Sequence, residues 1–349
     1  MKINLFYQSK NDAYFLTELV DQFYLYALMI MEQTKHTRLA YDIIGDIHGH
    51  ADELEILLDE LGYNENNGHY RHPQGRKVVF LGDYIDRGPK IRRSLQIVRG
   101  MIDAGEAHGI LGNHEVNALR YHTSDGNRGH LRKNKKENIK QHQATLSQIA
   151  EPFPDEWRDW MDWFAGLPLW LDLGPIRAVH ASWNSEVKSQ LKEIGKLEGE
   201  TLRTHSIKKT VPYERISAII NGPEAILPEG FWHETDDGKK RTEFRVKWWK
   251  SLEGKKCDDI VFHNSNTAMP DLLPAELPVT TPFTQDAPIT FFGHYAIMKN
   301  KPGPILDNLA CLDYGAGKGG QLVAYSWDGE AKLDDSKFTS TPQRKDNNE

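Results

Sequence analysis

Two carboxylates and a guanidinium, Asp83, Asp86 and Arg87, follow the apolar run Val78–Leu81 and precede the turn pair Gly88-Pro89. Four apolar residues, two of them β-branched, that stop at Gly82 read as a short buried strand running into a loop. Acids and an arginine at the mouth of such a strand point to chemistry on an anion. A solvated turn with an Asp–Arg pair is the plainer alternative. The pattern recurs along the chain. Asp46 and His48 follow Tyr41–Ile44, and Asn113 and His114 follow Ala107–Leu111. His180 follows Ile176–Val179, and His294 follows Thr290-Phe291-Phe292. Any one of these histidines alone is an ordinary core or surface residue. Together, five strand ends deliver Asp46, His48, Asp83, Asn113, His114, His180 and His294. Oxygen and imidazole donors of this kind suit two divalent transition metals, with a carboxylate as the natural bridge.

The elements that must position these groups form a series. Strand 41–44, a polar loop and a helix over 51–62 make one unit; Leu54, Leu57, Leu58 and Leu61 share a face, and Gly62 is the stop signal. Strand 78–81 and a helix carrying Ile91, Leu95, Val98 and Met101 make a second. Strand 107–111 and the helix opening at Val116 make a third. Three consecutive strand–loop–helix units predict an α/β fold with a largely parallel sheet and its site at the carboxyl edge. Residues 120–145 form a basic insertion with Arg128, Arg132, Lys133, Lys135, Lys136 and Lys140. They read as a solvated helix face or as a cap that attracts anions. Residues 184–280 are polar and irregular, a lid-like insertion. Leu309–Leu312 and Gln321–Trp327 are expected to close the fold as a strand pair. The domain so outlined is 39–330, with a helical extension over 1–38 and a disordered tail over 331–349.

Composition excludes several classes. A formal net charge of -7 argues against a duplex nucleic-acid binder. Two cysteines in 349 residues make neither a disulfide framework nor a thiolate metal site, so the cytoplasm is the expected location. No run reaches the roughly 20 apolar residues that span a bilayer, so no stable membrane insertion is expected. Residues 13–31 have helical spacing and are read as a packed helix ahead of a signal segment; translation starting at Met31 is a further reading. The oligomeric state stays open.

Asp46–Gly49 (D-I-H-G), Gly82–Gly88 (G-D-Y-I-D-R-G) and Gly112–Glu115 (G-N-H-E) resemble the three signature blocks of the calcineurin-like metallophosphoesterases, closest to their phosphoprotein phosphatase branch. His180-Ala181, Gly293-His294 and Leu312–Ala316 continue the resemblance more weakly. It covers about residues 40–328, with a poor match from 184 to 280. It implies a four-layer α-β-β-α sandwich of two mixed sheets. It also implies two divalent ions, Mn²⁺ first, with Fe or Zn²⁺ open. By that resemblance Asp46 and His48 bind one metal, Asp83 bridges, and Asn113, His180 and His294 bind the other. Arg87 grips the phosphoryl oxygens, and Asp86 holds His114 near the leaving group. A second phosphate-gripping arginine is expected; Arg245 is the candidate, with Arg215 and Arg241 competing. Ala181-Ser182 stands where the branch usually has two glycines.

These roles fit in-line attack on a phosphorylated protein or small molecule by a hydroxide between two cations, which lower the water pKa toward about 7. The related symmetrical dinucleoside tetraphosphatases usually lack an acid at the place of Asp86, which favours a phosphomonoester. A dinucleoside polyphosphate, cyclic nucleotide or other phosphodiester is the alternative, and a non-catalytic scaffold the remote one.

Overall fold

A computed structural model describes residues 39–234, 240–262, 269–299 and 301–343. The helix expected over 13–31, and the extension over 1–38, lie outside the described residues.

The first three units form as the spacing predicts. Strand β1 (Tyr41–Ile44) leads to helix α1 (Ala51–Glu60), β2 (Lys77–Phe80) to α2 (Ile91–Asp103), and β3 (Ala107–Gly109) to α3 (Asn113–His122). The three strands run parallel in the order β1-β2-β3. Beyond the basic loop come α4 (Lys136–Thr145), one π-helical turn (Leu146–Ala150) and α5 (Pro154–Gly166). Trp157, Trp160 and Phe164 of α5 are buried, as their spacing requires.

A second sheet follows. Strands β4 (Trp170–Asp172), β5 (Ile176–Val179), β6 (Ile289–Phe292) and β7 (Leu309–Cys311) lie in the order β7-β6-β5-β4, with only β4–β5 antiparallel. The expected closing pair takes a different form. β7 pairs with β6, the chain leaves that sheet at Leu312, and β8 (Asp313–Tyr314) pairs with β9 (Gln321–Trp327) in the first sheet. Strand β9 then lies antiparallel to β1. Both sheets are therefore mixed. Alternation explains how they share a core, because successive side chains of a strand point to opposite faces. Ile43, Val79, Ile110 and Tyr325 of one sheet and Ala178, Ile289, Phe291 and Ala310 of the other form one apolar cluster.

Two expectations are corrected. The tail expected to be disordered carries β10 (Phe338–Ser340), which pairs with β9. Phe338 packs on Tyr325 at 4.9 Å between ring centroids, and Thr341 exchanges hydrogen bonds with Leu322. A single aromatic and an open strand edge outweigh the polar composition. Residues 184–280 hold regular elements, including a helix over Val211–Ile220 and the paired strands Glu224–Ile226 and Glu243–Arg245. They have a small core of their own around Phe244, Val246 and Ile260. Trp248 and Trp249 are buried against Phe292. No helix among the described residues is long and apolar enough to cross a membrane.

Candidate metal centre

Both sheets aim their carboxyl ends at one cleft of about 950 Å³. Asp83, at the end of β2, is its centre. Its carboxylate lies 3.6 Å from His48 Nε2, 3.3 Å from His180 Nε2 and 3.9 Å from His114 Nε2. Asn113 Oδ1 lies 3.0 Å from His180 Nε2 and 2.9 Å from His294 Nδ1. The Asp46 carboxylate accepts the His294 backbone N–H at 3.0 Å. All six expected ligands therefore meet.

Among the described residues, two triads have donor atoms close enough to share an ion: His48, Asp83 and His114, and Asp83, His180 and His294. Asp83 belongs to both. The first triad includes His114, expected near the leaving group and not as a ligand, whereas Asp46, an expected ligand, lies beside the triads.

Ring orientation fits the donor role. His48 Nδ1 lies 3.0 Å from the Ile85 carbonyl and His180 Nδ1 lies 2.7 Å from that of Leu81. A carbonyl only accepts, so each Nδ1 carries the proton and each Nε2 faces the cleft. Asp46 Oδ1 and His294 Nε2 are buried with no hydrogen-bond partner among the described residues, although such groups ordinarily have one. Three buried carboxylates, Asp46, Asp83 and Asp313, crowd the floor. Burial, then the nearby Asp313, push the Asp46 carboxyl well above the usual range. Burial opposes charge on His180, yet Asp83 and Asp46 raise it to about 10. Surplus acid, orphaned donors and a proton-hungry imidazole all fit bound cations.

Close backbone approach builds the floor. A Cβ on Gly293 would stand 2.0 Å from Asp46 Oδ1, and one on Gly112 would stand 2.1 Å from Asp83 Oδ1. No side chain fits either place. The buried Glu115 accepts N–H groups from Asp83 at 2.9 Å, Tyr84 at 2.8 Å and Gly112 at 3.0 Å, tying two signature loops together. His48, Asp83, Asp86, Arg87 and His294 all have φ between 48° and 69°. Such left-handed residues cost about 1–3 kcal/mol each and persist only where their surroundings over-determine them.

Asp86 Oδ2 lies 2.6 Å from His114 Nδ1, and Arg87 lines the cleft. Asp86 is nearly fully buried; that burial would raise its carboxyl, but bonds from His114 and His142 hold it well below the usual range. Arg245 and Arg241 also line the cleft, and Arg245 Nη1 donates to the His294 carbonyl at 3.4 Å. Arg215 borders a separate shallow pocket with Lys209 and Val279. Sequence reasoning missed Glu115, Asp313, His142 and Thr145 as parts of the site. The first two sit inside quoted motif blocks; the last two had no signal of their own.

The chain is similar to bis(5'-nucleosyl)-tetraphosphatase PrpE (asymmetrical) of Halalkalibacterium halodurans, with 43% identity over 83 residues. That match covers 24% of this chain and 34% of the relative. The Bacillus subtilis protein of the same name is 45% identical over 83 residues, with the same coverage. The matched segment thus spans about a third of the length of these curated relatives. A solved serine/threonine phosphatase from Saccharomyces cerevisiae shares 12% identity at a TM-score of 0.47, covering 89% of this chain and 81% of that one. The family model of the calcineurin-like phosphoesterases matches residues 40–298, most of the chain and every candidate ligand, and the chain belongs to that family.

Proposed function

We propose that this chain is a metal-dependent phosphoester hydrolase acting on phosphomonoesters of proteins or small molecules. The convergence of Asp46, His48, Asp83, Asn113, His180 and His294 on one cleft floor carries the reading, with Asp46 Oδ1 and His294 Nε2 left unpartnered for a cation. Two bound divalent ions, Mn²⁺ first among them, would supply charge neutralisation and a water of lowered pKa. Arg87 would hold the phosphoryl oxygens, with Asn113 and Arg245 beside it. Asp86 fixes the His114 ring through Nδ1, so Nε2 is free to pass a proton to the departing oxygen. That pair favours a monoester. An alkoxide leaves badly without a proton, whereas a nucleoside polyphosphate leaves as a weakly basic phosphate.

Cleavage of a dinucleoside polyphosphate is the second reading. The names of the relatives favour it, as do the further cations Lys140, Arg241 and Lys318 around the cleft. The four-layer order of the sandwich belongs to this proposal and is supported by the apolar cluster shared between the sheets. So do the domain limits 39–330, a lid role for 184–280 and a cytoplasmic location.

Purified protein with Mn²⁺ is offered p-nitrophenyl phosphate, a phosphoserine peptide, diadenosine tetraphosphate and a 2′,3′-cyclic nucleotide. Turnover of the first two is expected. A preference for the dinucleotide above about 100-fold in kcat/KM, roughly 2.7 kcal/mol, replaces the first reading by the second. No turnover of any substrate with metal bound refutes both.

A further inference from the structure

The basic insertion does something its composition does not announce. Helix α4 and the π-helical turn behind it lie over the loop Asp86–Ile91. Three of their side chains bond to it. His142 Nδ1 lies 2.7 Å from Asp86 Oδ1, and the Thr145 hydroxyl donates to the same oxygen at 2.5 Å while accepting the Asp86 N–H at 3.1 Å. Gln148, in the π-helical turn, donates to the Gly88 carbonyl at 2.8 Å and accepts the Ile91 N–H at 2.9 Å. Asp86, His142 and Thr145 are each at most 2% exposed.

The proton directions follow from the partners. A carboxylate accepts, so His142 Nδ1 carries the hydrogen that Asp86 Oδ1 receives. On its other side, His142 Nε2 shares a hydrogen bond with His122 Nε2 at 3.1 Å. The His122 ring is seated edge-on against Trp157 at 5.3 Å between centroids. A chain of hydrogen bonds links His122, His142 and Asp86 Oδ1, and Asp86 Oδ2 faces His114.

An aspartate carboxyl turns easily, because its χ2 torsion is broad and nearly two-fold. Asp86 and Arg87 also hold left-handed backbone, with φ 69° and 68°. Left to itself this loop would relax. We propose that His142 and Thr145, backed by His122, are positioning residues: they fix the Asp86 carboxylate so that it holds the His114 ring with Nε2 aimed into the cleft. This rests on the hydrolase reading above. It gives the insertion a part in turnover that attraction of an anion does not require.

The test compares wild type, His142→Ala, His142→Asn, Thr145→Val, His114→Asn and the double variant His114→Asn/His142→Ala, all with Mn²⁺. Substrates are p-nitrophenyl phosphate, whose leaving group needs little help, and a phosphoserine peptide, whose leaving group needs a proton. His142→Ala should lose about 10-fold to 100-fold in kcat on the peptide and much less on p-nitrophenyl phosphate, with KM and bound metal unchanged. His142→Asn, which can restore an N–H near the Nδ1 position, should recover most of the loss. The double variant should be no slower than His114→Asn alone, since both changes remove one function. Thr145→Val keeps the side-chain shape and should show the same substrate contrast, so it carries the test if His142→Ala does not fold. Wild-type kcat in both His142→Ala and Thr145→Val, equal losses on the two substrates, or losses that multiply in the double variant would overturn the proposal. Failure of the wild type on every substrate would instead strike the hydrolase reading on which it rests.

Discussion

Gly293→Ala adds one methyl group, and the structure says where it goes. Its Cβ would lie 2.0 Å from Asp46 Oδ1 and 3.1 Å from Asp46 Cγ. Real Cβ contacts essentially never fall below 3.0 Å. The carboxylate or the end of β6 must therefore move by about 1 Å. Metal sites tolerate ligand shifts of about 0.2 Å, so this is roughly five times too much. Gly293 is not in left-handed backbone, so the substitution adds no conformational strain to confuse the result. Overpacking should cost about 1–3 kcal/mol of stability. A 1 Å error in a reacting group costs about 100-fold in rate. The assay is bound Mn²⁺ per chain after equilibrium dialysis, followed by kcat on p-nitrophenyl phosphate. Metal affinity should fall about 10-fold to 100-fold and kcat about 100-fold. Gly166→Ala is the control, because its Cβ would meet nothing nearer than Lys196 Cε at 4.0 Å. Wild-type metal binding and turnover in Gly293→Ala would refute the placement of Asp46 at the metal centre.

Asp83→Asn removes a charge common to both candidate triads and should lose bound metal together with activity, whereas His114→Asn should keep metal and lose turnover; metal analysis beside steady-state rates separates them. Arg76→Ala should destabilise the fold by about 3–5 kcal/mol in urea titration, because it strips a bidentate partner from the fully buried Asp42 near the amino ends of β1 and β2, whose carboxyl ends carry the cleft loops. For Asp86 the carboxyl is held below its unfolded value near 3.8. Its contribution is therefore fully present above that value and is lost as pH falls toward the folded one. Asp86→Asn should be less stable than wild type at neutral pH, and the gap should begin to narrow only as pH falls below about 4; a gap in urea midpoints as wide at about pH 2 as at pH 7 would contradict this.

How much of this was legible depends on how local the cause is. The series Asp46, Asp83 and Asn113 was readable because each follows a short apolar run that a parallel sheet must place side by side, with loops at one edge. His180 and His294 were readable for the same reason in the second sheet. Leu312 was not, because an apolar run does not say which of two sheets it joins, and here the chain changes sheets at that residue. Strand β10 was missed because its pairing depends on the open edge of β9 and not on its own polar residues. His142 and Thr145 are 56 and 59 residues from Asp86 and belong to no motif. Lysines around them signalled charge, while the working contacts came from two buried side chains on the opposite face of α4.

Titration of the metal-free chain with Mn²⁺, following phosphate release from a phosphoserine peptide, tests the central claim most directly. The expected result is no turnover without metal and a rise that saturates near two ions per chain. Undiminished turnover in the presence of a chelator, or none with both ions bound, would contradict it.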